Sequence, residues 1–93
     1  MSDEIVKLPV NGILDLHNFQ PSEVADLVFD YLHACQKADI LQVRVIHGKG
    51  IGNLRRTVHA RLEKMSIVKS YELAGSDAGH WGATLVMLHK ISD

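Results

Sequence analysis

Glycine occupies every second position of Gly48-Lys49-Gly50-Ile51-Gly52, and the two flanks of this segment have different periods. Before it, Leu41-Gln42-Val43-Arg44-Val45-Ile46 is nearly continuously apolar, the pattern of a strand at least partly covered on both faces. After it, Leu54, Val58, Leu62 (with Arg61 beside it) and Met65 recur at helical spacing. Such a junction drives the chain from a strand through a tight turn into a helix. Glycines remove the Cβ atoms that keep a ligand away from the backbone. The helix that follows offers unpaired N–H groups and the positive end of its dipole. Lys49, Arg55 and Arg56 add positive charge at the same place. The combination reads as an anion site, best suited to a phosphate. It is not a nucleotide-triphosphate loop, because Gly50 and Ile51 rather than Ser or Thr follow Lys49. The dinucleotide fingerprint also fails, its third glycine coming one position early.

The rest of the chain supplies the elements around that junction. Residues 1–11 read as a flexible lead-in that ends around Pro9 and Gly12, and residues 12–93 as one domain, which fits a length of 93 residues. Ile13 to His17 reads as a first strand. Pro21 suits the first position of a helix, and Glu23 places negative charge in its first turn. Val24, Leu27, Val28, Tyr31, Leu32 and Cys35 form a single apolar stripe, so the helix is expected over Pro21 to Lys37. Cys35 lies on that stripe and reads as a small core residue. A second helix is expected from Asn53, a good N-cap, to Met65. Ile67 to Leu73 and Gly82 to Leu88 read as strands separated by the turn-rich Gly75 to Gly79. The order β-α-β-α-β-β predicts an α/β two-layer sandwich on a four-stranded mixed sheet with its last strand antiparallel. Both helices share one face if the parallel strands advance in one direction.

Ligands bind outside the carboxyl ends of parallel strands in such sheets. Asp15 and His17 end the first strand, His47 ends the second, and the segment Gly79-His80-Trp81-Gly82-Ala83-Thr84 opens the antiparallel one. All three are expected at one rim. A histidine there is a candidate general base or acid, and Asp15 a candidate to orient it or to hold a divalent cation such as magnesium or manganese. The pattern makes no cofactor certain and leaves magnesium or manganese as the candidates. A zinc site of His17, His47 and His80 lacks paired ligand spacing. Trp81 is either a stacking surface for a base or a packed side chain. His33 and His59 read as solvated helix residues, and His89 as structural.

Charge narrows the partner. The whole chain carries −1, yet over residues 44–69 Arg44, Lys49, Arg55, Arg56, Arg61, Lys64 and Lys69 stand against Glu63 alone. A local basic segment serves a polyanion without a high overall pI. No apolar run reaches the roughly 20 residues of a membrane span. The acidic start and the lone cysteine are those expected of a cytoplasmic protein, with a monomer as the favoured state.

These motifs resemble a known family. Leu14-Asp15-Leu16-His17, then His47-Gly48-Lys49-Gly50-x-Gly52-x-Leu54-Arg55, then Gly79-x-x-Gly82-Ala83-Thr84-x-Val86 resemble, in order and spacing, the three motifs of the Smr (small MutS-related) domain over about residues 13–89. The resemblance is to the stand-alone form. It implies a sandwich like the C-terminal domain of translation initiation factor three, nucleic-acid binding and, in several members, endonuclease activity on DNA or RNA. It carries Asp15 and His17 from the first motif, His47, Gly48, Lys49, Gly50 and Arg55 from the second, and Gly82 and Thr84 from the third. Asn18 stands where the family commonly has glycine, and asparagine tolerates a left-handed turn better than most residues. His80 replaces the second of two adjacent glycines.

The expected function is a structure-preferring endonuclease. Asp15, His17 and His47 are its catalytic candidates. Gly48, Lys49, Gly50, Gly52, Arg55, Arg56, His80, Trp81, Gly82 and Thr84 are its nucleic-acid-binding candidates. The alternatives are a non-catalytic DNA- or RNA-binding module of DNA repair, recombination or RNA quality control, and a protein-interaction domain.

Overall fold

The computed structural model describes residues 9–48, 53–74 and 82–91. Lys49, Gly50, Gly52, His80 and Trp81 lie outside them. Six elements follow in the order β1 (Ile13–Asp15), α1 (Pro21–Lys37), β2 (Gln42–Ile46), α2 (Asn53–Glu63), β3 (Val68–Leu73) and β4 (Ala83–Leu88). The strands form one sheet in the order β1-β2-β4-β3. β1 runs parallel to β2, and β4 runs antiparallel to both of its neighbours, β2 and β3. The last strand is therefore the antiparallel one, inserted between two strands that share a direction.

Side-chain alternation sorts the sheet into two faces. Leu14, Val43, Val45, Thr84, Val86 and Leu88 are buried and face the helices. They meet Val24, Val28, Tyr31, Leu32 and Cys35 from α1 and Val58 and Leu62 from α2. These lie on the apolar stripes read from the sequence, whose Leu27 and Leu54 pack half-buried against the same core and whose Met65 is buried just beyond α2. Both helices therefore lie on one face, as expected when β1, β2 and β3 advance one way across the sheet. The other face carries Ile13, Arg44, Leu85 and Met87, and among the described residues no helix covers it. No described helix is long and apolar enough to cross a membrane.

Element ends have local causes. Pro21 opens α1, and Glu23 turns back to accept the Gln20 N–H at 3.1 Å. α1 closes on Asp39, whose φ of 64° is left-handed. α2 stops at Glu63, two residues short of the expected end, because Lys64 and Met65 donate to Arg61 and Leu62, an i−3 tightening. Asn53 is the first residue of α2 and not its cap. β1 also ends early, because the His17 N–H goes to the Asp15 side chain and not to the sheet. Asp39 is the non-glycine with positive φ among the described residues, so Asn18 needs no left-handed backbone. Instead Phe19 N–H closes that turn on the Leu16 carbonyl at 3.0 Å.

The lead-in expected to run through residue 11 is held at its end. Tyr31 Oη donates to the Pro9 carbonyl at 3.0 Å and accepts the Asn11 N–H at 3.2 Å. Gly12 follows with φ 92°, and its carbonyl accepts the Arg44 N–H at 2.7 Å, which sets the register of β1. A Cβ at Gly12 would lie 3.2 Å from both the Gln42 carbonyl oxygen and Ile40 Cγ2. Gly12→Ala therefore combines an unfavourable φ with a contact against backbone. It is expected to cost about 1–3 kcal/mol, read as a lowered urea midpoint.

Candidate nucleic-acid interface at the sheet rim

The carboxyl ends of β1 and β2 meet as the sequence predicts, with Leu16 N–H donating to the Ile46 carbonyl at 2.9 Å. β4 begins at the same rim. There the Gly82 carbonyl accepts the N–H groups of both His47 and Gly48 at 2.8 Å. The main chain thus brings all three motifs together.

The side chains then separate. Asp15 pairs with Ile46, on the face away from the helices, whereas His47 follows the parity of Val43 and Val45 and turns inward. Asp15 and His17 form one unit. Asp15 Oδ1 accepts the His17 N–H at 3.0 Å and the His17 ring at Nδ1 at 2.8 Å. A carboxylate oxygen only accepts, so Nδ1 carries a proton, and in the neutral ring Nε2 is the lone pair. The His17 side chain is 68% exposed, and no hydrogen bond to Nε2 is found among the described residues. The bonds from the His17 side chain and backbone hold the Asp15 carboxyl below its usual range.

His47 is the opposite case, with 5% of its surface exposed and both ring nitrogens engaged. Nδ1 lies 3.1 Å from the Gly48 carbonyl and Nε2 lies 2.8 Å from Thr84 Oγ1. Thr84 is fully buried, so any effect it has on a ligand passes through its partners. Its hydroxyl also meets His59 Nε2 at 2.8 Å. His59, read from the sequence as a solvated helix residue, is therefore a partner of the second and third motifs. The signal was faint: His59 follows Val58 and lies one turn before Leu62, at the border of the buried stripe. Its ring packs 4.8 Å from that of Tyr71, whose hydroxyl donates to Glu63.

Burial lowers the pKa of His47, and Arg55 adds to this against an opposing Gly48 carbonyl. Burial also lowers that of His59, helped by His47 and Arg55 and opposed by Glu63. The folded protein thus favours the neutral pair. In the unfolded chain a histidine titrates near its ordinary value of about 6.5. The pair's contribution to stability is therefore complete above that value and is lost as pH falls through the lowered folded values. Urea midpoints are expected to drop between pH 7.5 and pH 5, and a His47→Gln/His59→Gln double variant to flatten that part of the profile.

Of the basic residues, Arg56 is exposed and Arg55 half-buried beside the histidine pair. Arg61 is committed elsewhere, to Asp26 at 3.7 Å and the face of Phe29 at 5.6 Å. Among the described residues, no three His, Cys, Asp or Glu side chains converge to hold a metal ion. His33 packs on Phe29 with ring centroids 4.5 Å apart, and the His89 carbonyl accepts from Gln36 Nε2 at 2.8 Å.

The fold and rim define a two-layer α/β domain with an outward Asp-His pair and an inward histidine that holds Gly48. The sequence profile of the Smr domain matches residues 14–89, and the chain belongs to that family. Two similar proteins are the endonucleases MutS2 of Thermomicrobium roseum, 41% identical over 75 residues, and of Lachnoclostridium phytofermentans, 41% identical over 79. Those alignments cover 81% and 85% of this chain but only 10% of each relative, so the chain spans about a tenth of their length. The Smr domain of Thermus thermophilus MutS2 superposes with a TM-score of 0.79 at 28% identity, covering 85% of this chain and 99% of that one. YdaL, a stand-alone small MutS-related protein from Escherichia coli, gives 0.75 at 29% identity, covering 94% and 71%.

Proposed function

We propose that this domain binds structured nucleic acid at the rim and cleaves a phosphodiester there, with His17 as general base and Asp15 as the group that orients it. The observation that carries this reading is the Asp15–His17 pair, in which one nitrogen is fixed by a carboxylate and the other is open. A base must offer a lone pair to water or a sugar hydroxyl, and an exposed Nε2 does so without first breaking an internal bond. His47 has no such nitrogen, so it acts as the fastener of the glycine segment. Lys49, Arg55, Arg56 and the N–H groups of the glycine segment hold the phosphate and offset charge that grows on it during displacement. Similarity to proteins named as endonucleases supports the reaction class. Phosphate contacts carry no sequence information directly, so shape governs its choice of substrate more than sequence.

The test is a gel assay of purified protein on branched DNA, duplex DNA and hairpin RNA, with and without magnesium or manganese, beside a salt titration of binding. Cleavage of at least one substrate is expected. The Arg55→Ala variant is expected to bind more weakly and to lower the salt slope by about one unit. Binding without any product would reduce the domain to a non-catalytic module. No binding even at low salt would overturn the proposal.

A further inference from the structure

The hydrogen bonds around Thr84 have a direction, and one atom sets it. The Gly48 carbonyl oxygen can only accept, so His47 Nδ1, 3.1 Å away, carries the proton. In the neutral ring Nε2 is then a lone pair, and the Thr84 hydroxyl, 2.8 Å away, must donate to it. That hydroxyl has a single hydrogen, so towards its other neighbour Thr84 Oγ1 can only accept. His59 Nε2, also at 2.8 Å, is therefore an N–H donor. The chain runs from His59 through Thr84 and His47 to Gly48, drawing on α2, β4 and the end of β2. Behind it Tyr71 packs on the His59 ring and is itself tied to Glu63. His47 and His59 meet edge-on at 6.2 Å.

At the far end, both backbone polar groups of Gly48 are held. Its N–H goes to the Gly82 carbonyl at 2.8 Å, and its carbonyl takes the His47 ring. Its φ is 85°, while a Cβ there would find nothing within 4 Å, so the position demands glycine for conformation rather than for space. The Gly48 backbone is thus held by its neighbour His47 and by the Gly82 main chain, and the His47 ring in turn by Thr84 and His59, which are distant in sequence.

We propose that His59 is a positioning residue: through the Thr84 hydroxyl it fixes the ring of His47, and His47 fixes the peptide of Gly48 from which the glycine segment departs. The effect on ligand rests on the nucleic-acid reading above, whereas the geometric effect does not.

The experiment uses the full chain labelled with 15N. In long-range nitrogen–proton spectra at pH 7.5, His47 is expected as the Nδ1–H tautomer and His59 as the Nε2–H tautomer. His59→Ala is expected to shift the Gly48 amide and mix the His47 tautomers. His59→Gln, whose amide donates towards the same oxygen, is expected to restore both. Thr84→Val is expected to reproduce the loss and Thr84→Ser to avoid it. This second pair decides the question should His59→Ala fail to fold. By anisotropy on fluorescent duplex DNA and hairpin RNA, His59→Ala is expected to bind about fivefold more weakly, the scale of one hydrogen bond. Its salt slope is expected to stay unchanged, because no phosphate-binding cation is lost. An Nε2–H tautomer at His47 in the unmodified protein, or a Gly48 amide unmoved by both His59→Ala and Thr84→Val, overturns the proposal. Absence of nucleic-acid binding by the unmodified protein overturns the function proposed above, and the tautomer and Gly48 readouts still decide this one.

Discussion

Replacing His17 with alanine is expected to slow phosphodiester cleavage by about 10²–10⁴-fold, the usual contribution of a positioned general base. The side chain is exposed, so the thermal midpoint should hardly move. That separates loss of chemistry from loss of fold. Asp15 gives a graded companion. Both His17 bonds end on one oxygen, Oδ1, and an asparagine carbonyl can accept both. Asp15→Asn therefore preserves ring orientation while removing the charge that favours a protonated imidazole in the transition state. Asp15→Ala removes both. The expected order of activity is unmodified, then Asp15→Asn, then Asp15→Ala, with His17→Ala lowest. The bonds from His17 keep the Asp15 carboxyl ionised well into acid, so its orienting role should persist across the neutral range. Single-turnover rates on the preferred substrate check the order. A His17→Ala rate within threefold of the unmodified protein removes His17 from the mechanism.

The second large effect concerns stability. Leu32 is fully buried on the inner face of α1, in the cluster that joins that helix to the sheet. Leu32→Ala removes buried methyl groups and leaves a cavity that close-packed neighbours fill only in part. The expected cost is about 2–5 kcal/mol. A domain of this size is stable by only roughly 5–14 kcal/mol, so a large share of the folded margin disappears. Phe29, on the same helix, makes the contrast. It is 40% exposed and covers Arg61 rather than the core. Phe29→Ala should cost under about 1 kcal/mol, the scale of an exposed cation–π contact. Urea denaturation of the two variants side by side measures the difference. Similar midpoints for both would mean that the stripe on α1 does not anchor the helix to the sheet.

Much of the molecule was legible from the order of its residues, because local periodicity and burial are the same information. The α1 stripe of Val24, Leu27, Val28, Tyr31, Leu32 and Cys35 is spaced for one face of a helix, and all of these are buried except Leu27, which packs half-buried against the same core. The apolar run ending at Ile46 became β2, and the short return between the last two strands became an antiparallel pair. Backbone polarity fixes such elements locally, and amphipathicity then dictates which face turns inward. The ends were less legible, since they depend on single hydrogen bonds such as Asp15 to His17.

What the sequence alone determined, then, is the set of elements, the family to which three ordered motifs belong, and the arrival of those motifs at one rim. Only the tertiary structure decided how the rim is divided. A strand sends neighbouring side chains to opposite faces, so the one-residue difference between Ile46, the partner of Asp15, and His47 places one histidine outward beside a carboxylate and buries the other. His59 entered the site because β4 lies between β2 and β3 and carries Thr84 beneath α2. Strand order is set by how the whole sheet packs, and no spacing within α2 encodes it.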